Sequence, residues 1–276
     1  MLRARVLVLA VACAGASARA VAPSPAAPSV QIAPAGAAAA VDGPVLAVAF
    51  LGDERLVVLG LDALRVYRWR DGEATLLSQH ALPEPEPVRF PGGLLLAAED
   101  AVWVSRSGLP AALLFGVDGR GTLTERARAE ALPWPACPRG LRYRDGTNLL
   151  EGEVEGLAGG PFLALASGVA VDAQARILVA TDGGPRPSAV RAGPALVALG
   201  DGLFAAASAS PPGPSDTILF LEREAGELRL VGEAPVAGAV RSLASAPARG
   251  AARLVAAVEE AGRATLLAFV VRRAGR

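Results

Sequence analysis

The chain has 276 residues with 27 basic and 27 acidic side chains, so its formal net charge at neutral pH is zero. Such a balance lacks the basic excess that phosphate neutralisation needs, which sets nucleic acid aside as a partner. The length suffices for one large all-β domain or two smaller ones.

The first residues read as an export signal. "MLRAR" is positive, "VLVLAVA" (Val6 to Ala12) is a short apolar run, and "ASARA" offers small residues for cleavage after Ala18 or Ala20. The run is too short to span a bilayer, which takes about 20 residues. Residues 1–20 are therefore expected to be a signal peptide. The product is expected across the inner membrane, in the periplasm or anchored there by lipid. "AVAC" (Ala10 to Cys13) resembles a bacterial lipobox, with Ala10 where leucine is usual. A lipid on Cys13 is the only membrane attachment expected; otherwise Cys13 is one more small residue of the signal. Cys137 is the other cysteine, so no intrachain disulfide is expected, and its setting in "WPACPRG" suits a buried, inert thiol.

Residues 21–43 are rich in alanine and proline, a composition read as a flexible linker. The folded domain is then expected over 44–276. It begins with short apolar strands separated by turn residues: "VLAVAF", "RLVVLG", "LRVYRW" and "ATLLSQ", with Asp-Gly at 71–72 as a hairpin signal. The same grammar returns in "GLLLAAEDAVWVSRSGLPAALLFGVDGRGTLTERA" and in "PALVALGDGLFAAASASPPGPSDTILFLEREAGELRLVGE". The stretch starting at Val45 also matches the one starting at Val240, with Arg-Leu-Val opening the second strand of each. Self-similarity at about 40–45 residues marks four-stranded blades that stack around an axis. The expectation is an all-β β-propeller of about five or six four-stranded blades. Tandem β-sandwiches are the alternative. "AARLVAAVEEAGRATLLAF" has helical propensity, but the internal match and Gly262 at a turn position favour strands.

Several motifs together resemble bacterial envelope propellers of the VCBS/FG-GAP class, which are similar to the integrin α-chain N-terminal propeller. They are the opening strands at 45–70, Leu132–Trp134, the arginine-bearing stretch Arg139–Arg144, and the glycine-spaced run from Gly152 to Phe162. Calcium-binding members carry several carboxylates per loop. Here the corresponding turns hold one aspartate each: Asp53 in "LGDER", Asp118, Asp182 and Asp201. A calcium ion takes about six to eight oxygens, whereas Asp before Gly is ordinary turn chemistry. No metal is expected, and no cofactor.

The search for catalytic groups finds little. His80 is the only histidine, no G-x-S-x-G accompanies it, and His80 with Cys137 cannot build the usual zinc sites. Glu151, Glu153 and Glu155 would share one face if "LLEGEVEG" were a strand, and paired carboxylates are the equipment of glycosidases. Alternate acids are also what a solvated strand face looks like. Trp69, Trp103 and Trp134 could stack on a glycan or small ligand, or simply pack between blades. The first functional expectation is therefore a non-catalytic interaction or scaffold protein that presents a β-propeller to an unidentified envelope protein. Arg139, Arg142, Tyr143 and Arg144, with Asp216 in the loop "ASASPPGPSD", are the candidate binding surfaces. A periplasmic carbohydrate-active enzyme and a glycan- or small-ligand-binding propeller are the alternatives.

Overall fold

The computed structural model describes residues 30–36, 38–70, 73–84, 86–135, 137–157, 159–210, 213–248 and 250–274. The expected signal peptide, Cys13 and the first part of the expected linker lie outside the described residues.

Every regular element among the described residues is a β-strand. In chain order, β1 (Val30–Pro34) and β2 (Ala39–Val41) precede a four-stranded sheet of β3 (Val45–Leu51), β4 (Arg55–Gly60), β5 (Ala63–Arg70) and β6 (Glu73–Ala81). A second sheet follows: β7 (Gly93–Ala98), β8 (Ala101–Arg106), β9 (Ala112–Val117) and β10 (Leu123–Ala129). An insertion over 130–161 carries two short strands, β11 (Arg142–Tyr143) and β12 (Leu150–Glu151). The third sheet is β13 (Phe162–Ala166), β14 (Val169–Asp172), β15 (Arg176–Val179) and the first half of the long β16 (Arg186–Gly200). From Ala192 onward, β16 pairs instead with β17 (Leu203–Ser208), which leads to β18 (Ser215–Glu224) and β19 (Glu227–Ala237), completing the fourth sheet. The fifth is β20 (Ala239–Ala248), β21 (Ala251–Glu260) and β22 (Arg263–Arg273), with β1 and β2 both antiparallel to β22.

These five sheets form a ring of blades. Their first strands β3, β7, β13, the second half of β16, and β20 line one central cavity. Burial explains which sequences become which strands. Second strands are buried on both faces, so β4 reads as a continuous apolar run, with Leu56, Val57, Val58 and Leu59 fully buried. Outer strands have a solvated edge, so β6 mixes Thr, Ser, Gln and His with apolar residues and has no fully buried member.

A blade hides its faces only against its neighbours, and each junction has its own apolar cluster. Val57, Val66, Val102 and Phe115 join blades one and two. Leu56, Trp69, Val255 and Leu266 join five and one. Leu254, Phe220, Ile218 and Val30 join four and five, and Val171, Ile177, Phe204 and Leu221 join three and four. Blades two and three are joined through the insertion, whose Leu141, Leu150, Val154 and Leu157 pack with Phe162, Leu165 and Ala170 of blade three, with Leu94 of blade two against them.

The linker expectation needs correction. Within 21–43, Val30–Pro34 and Ala39–Val41 are strands, and Val30 and Val41 are buried. The physical reason is the open edge of β22. Blade five receives only three strands from the C-terminal part of the chain, and the row of unpaired backbone groups on β22 takes the N-terminal segment as its partner. Pro34 is compatible with this because β1 is an edge strand. The helical alternative for 251–269 is also settled as strands β21 and β22.

Candidate functional site

The axial cavity has a volume of about 590 Å³. Each inner strand turns one backbone edge toward it, and those groups need partners. Blade five supplies two: Ser242 Oγ accepts a hydrogen bond from Val48 N–H at 3.0 Å, and Ser245 Oγ donates to the Ala198 carbonyl at 2.6 Å. Apart from these serines, Ser167 and Arg241, the strands contribute glycine, proline and aliphatic or aromatic residues such as Leu46, Phe50, Leu94 and Leu196 to the lining.

The insertion supplies what the strands lack. Trp134, Tyr143 and Glu155 all reach the cavity wall from it. It runs the length of the axis, with Tyr143 against Gly92 at the end where β7 begins, and Gly156 against Ala180 at the end where β13 finishes. A Cβ on Gly92 would lie 2.9 Å from a Tyr143 ring carbon, so this position has room for no side chain. Burial pushes the Tyr143 phenol well above its ordinary pKa, which keeps it a neutral hydroxyl at any physiological pH.

Two depressions open from the axis at its ends. At the first, Arg89, Phe90, Tyr143, Asn148 and Arg241 surround a hollow of about 380 Å³ with Leu46, Leu163 and Pro194 among its walls. Phe90 is 65% exposed, the highest value among the large exposed hydrophobic residues, and the Arg89 guanidinium carbon sits 5.2 Å from its ring centre. Arg241 is held by Glu259 at 2.9 Å. The strap carrying Phe90 is pinned from below by the turn after β8. Buried Arg106 donates through Nη2 to the Pro83 carbonyl at 2.7 Å, Glu86 N–H donates to the Gly108 carbonyl at 3.1 Å, and Ser107 N–H donates to the Gly92 carbonyl at 3.0 Å. The Nε and Nη1 of Arg106 have no hydrogen-bond partner among the described residues.

At the second depression, Trp134, Cys137, Pro138, Glu153, Val154 and Glu155 line about 480 Å³. Cys137 is buried, and its thiol donates to the Gly140 carbonyl at 3.0 Å. Burial pushes its pKa up, with the nearby Glu153 carboxylate acting in the same direction, which disfavours the nucleophilic thiolate.

The expected site residues separate under this geometry. "LLEGEVEG" is a strand only at Leu150–Glu151, so the three glutamates do not share a strand face. Glu151 pairs with Arg144 at 3.7 Å, while Glu153 and Glu155 are exposed beside Trp134. Of the candidate surface residues, Arg139, Arg142 and Arg144 are exposed, and Tyr143 is half-buried at the Phe90 hollow. Asp216 has a structural role. Its Oδ1 accepts from Ser208 Oγ at 2.6 Å and Thr217 N–H at 2.7 Å, and its Oδ2 accepts from Val240 N–H at 3.1 Å, tying blade four to blade five. Trp69 is buried in the core between blades five and one, and Trp103 is half-buried. His80 packs edge-on against Phe115 at 4.9 Å. The single carboxylates of the turns are spoken for where their partners are seen: Asp118 Oδ1 accepts from the backbone N–H groups of Arg120 and Thr122, and Asp53 meets Arg253 at 3.6 Å. Among the described residues no group of three or more His, Cys, Asp or Glu could hold a metal ion. The strand-and-turn pattern does not single out the Arg89–Phe90 pair. Its signal was a lone aromatic residue in a proline-rich connection, "PVRFPGG", where no strand could bury it.

No family model and no curated protein matches the chain. Among solved structures it is similar to the PQQ-bound form of aldose sugar dehydrogenase from Streptomyces coelicolor, at 11% identity and a TM-score of 0.52, over 89% of this chain and 99% of that one. The chain is a β-propeller. The propeller is also similar to the WD40 repeats of RRP9, at 10% identity and a TM-score of 0.49 over 88% of this chain and 100% of that one. A third likeness is the WD40 domain of coronin from Toxoplasma gondii, at 8% identity and a TM-score of 0.46 over 90% and 88% of the two chains. At such identities the likeness concerns the fold alone, and fold does not fix function.

Proposed function

We propose that this propeller is a non-catalytic interaction protein of a bacterial envelope, a thinned relative of the VCBS/FG-GAP class. It is exported by its N-terminal segment and docks a partner protein at the end of the ring where Phe90 stands. The observation that carries this reading is the Arg89–Phe90 pair. An aromatic side chain exposed at 65% rests under a guanidinium, beside Tyr143 and a hollow with apolar walls, on a strap fixed by hydrogen bonds to the turn after β8. Aromatic and arginine anchors next to a pocket are the composition of interface hot spots. Arg89 adds a positive charge at the mouth of the same hollow, suited to an acidic partner surface.

The test is a photo-crosslinking amino acid at position 90 in the native host, with the same group at Leu230 for comparison. Leu230 is 45% exposed and lies on an outer strand of blade four. A reproducible envelope protein captured from position 90 and not from 230 is the expected result. Equal capture from the two positions, or none from 90, overturns the docking reading.

A further inference from the structure

We propose that the axial cavity binds a small organic cation, a protonated amine on an apolar body. The ammonium lies beside Glu155 and Trp134, and the body lies along the aliphatic wall. Trp134, Val154 and Glu155 line both the axial cavity and the adjoining depression, so they stand where the two spaces meet. An indole face attracts cations. A carboxylate adds opposite charge and a charge-assisted hydrogen bond. An enclosed apolar wall with few convergent polar groups is the usual form of a small-molecule site.

The charge around Glu155 is unbalanced in the required direction. Neither Glu153 nor Glu155 forms an ion pair with a described residue. Arg186 and Arg223 share a third depression with Glu155 and Asp182, and only Arg186 is neutralised by a carboxylate, which leaves Glu153, Glu155 and Asp182 against the single charge of Arg223. Arg186 pairs with Glu227 at 3.4 Å, and Arg223 Nη2 donates to the Ala180 carbonyl at 2.6 Å. At the far end of the axis, Arg241 is matched by Glu259. Among the remaining polar side chains of the wall, Ser242 and Ser245 serve the backbone of neighbouring blades, and Ser167 and Tyr143 are neutral hydroxyls. The insertion therefore brings a carboxylate and an indole into a cavity whose own strands contribute no acid. Glu155 and Trp134 lie at the end of the axis away from the Phe90 hollow and do not line it, although Tyr143 and Arg241 line both that hollow and the cavity.

The probe is 2-phenylethylamine, titrated into the folded protein by calorimetry or ligand-observed NMR, with 2-phenylethanol as the uncharged analogue of the same shape. Saturable binding of the amine is expected, at least tenfold tighter than the alcohol. Glu155→Gln is expected to weaken the amine at least tenfold and to leave the alcohol unchanged, and Trp134→Leu to weaken both. Glu153→Gln, at a residue that lines only the depression, is expected to do less than Glu155→Gln. Phe90→Ser should leave amine binding unchanged, so the two sites stand or fall separately. Absence of saturable amine binding, equal affinity for the two probes, or an unaffected Glu155→Gln variant overturns the proposal. Glu155 is exposed, so unchanged melting of that variant verifies that the loss is not unfolding.

Discussion

Blades one and five begin alike and end differently. Arg55-Leu56-Val57 in β4 and Arg253-Leu254-Val255 in β21 hold matching positions. Leu56 and Leu254 each face the preceding blade, and Val57 and Val255 each face the following one. Both arginines lean toward the next blade. Arg55 donates to the Asp118 carbonyl at 2.8 Å, and Arg253 meets Asp53 at 3.6 Å with its guanidinium carbon 5.6 Å from the Phe50 ring centre. The outer strand is where they part. Blade one continues directly into β6, whereas blade five is completed by β1 and β2 from the other end of the chain. The stretches that match between blades one and five thus encode three strands and an open edge. What covers the edge is decided by whatever segment the ring brings near.

The largest effect should come from breaking that closure. Val30→Asp places a charge in the cluster between blades four and five. It should cost about 3 kcal/mol or more, because a buried charge there has no partner. Chemical denaturation would measure it. An exposed change in the outer strand of blade one, Thr75→Asp, should stay within about 0.5 kcal/mol. If both variants melt like the parent, the N-terminal strands do not close the ring in solution.

A smaller effect, equal in the two blades, is expected of Leu56→Ala and Leu254→Ala. Both side chains are fully buried, so each should lose about 2–5 kcal/mol. Their agreement to within about 1 kcal/mol would sharpen the equivalence; a much cheaper Leu254→Ala would mean that blade five is the looser of the two. The smallest effect belongs to the arginines. Arg253→Ala removes an ion pair whose Asp53 side chain is 81% exposed, which is worth about 0–1 kcal/mol and fades with salt. Arg55→Ala loses carbonyl hydrogen bonds at a similar cost of about 1 kcal/mol, with weaker salt dependence. Melting temperatures at low and high salt separate the two.

The candidate site was legible only in pieces. Trp134, Tyr143 and Glu155 each attracted notice as sequence, but "LLEGEVEG" suggested an acidic strand face that ends at Glu151. Alternation predicts a face only while backbone pairing continues, and β12 pairs for just two residues. Asp216 looked like a loop acid because its surroundings are Pro, Ser and Gly. Besides its neighbour Thr217, its hydrogen-bond partners come from β17 and β20, which no local pattern could reveal.

By itself the sequence determined the strand-and-turn grammar, the blade repeat and the all-β ring, because side-chain alternation and turn chemistry act over a few residues. It also set the single carboxylates of the turns, which hydrogen-bond locally, as Asp118 does to Arg120 and Thr122. Tertiary structure alone decided the count of five blades, the return of Val30–Val41 to the edge of β22, and the use of an insertion as the wall between blades two and three. These depend on how many twisted sheets close a ring and on which unpaired edges and apolar faces remain for distant segments to cover.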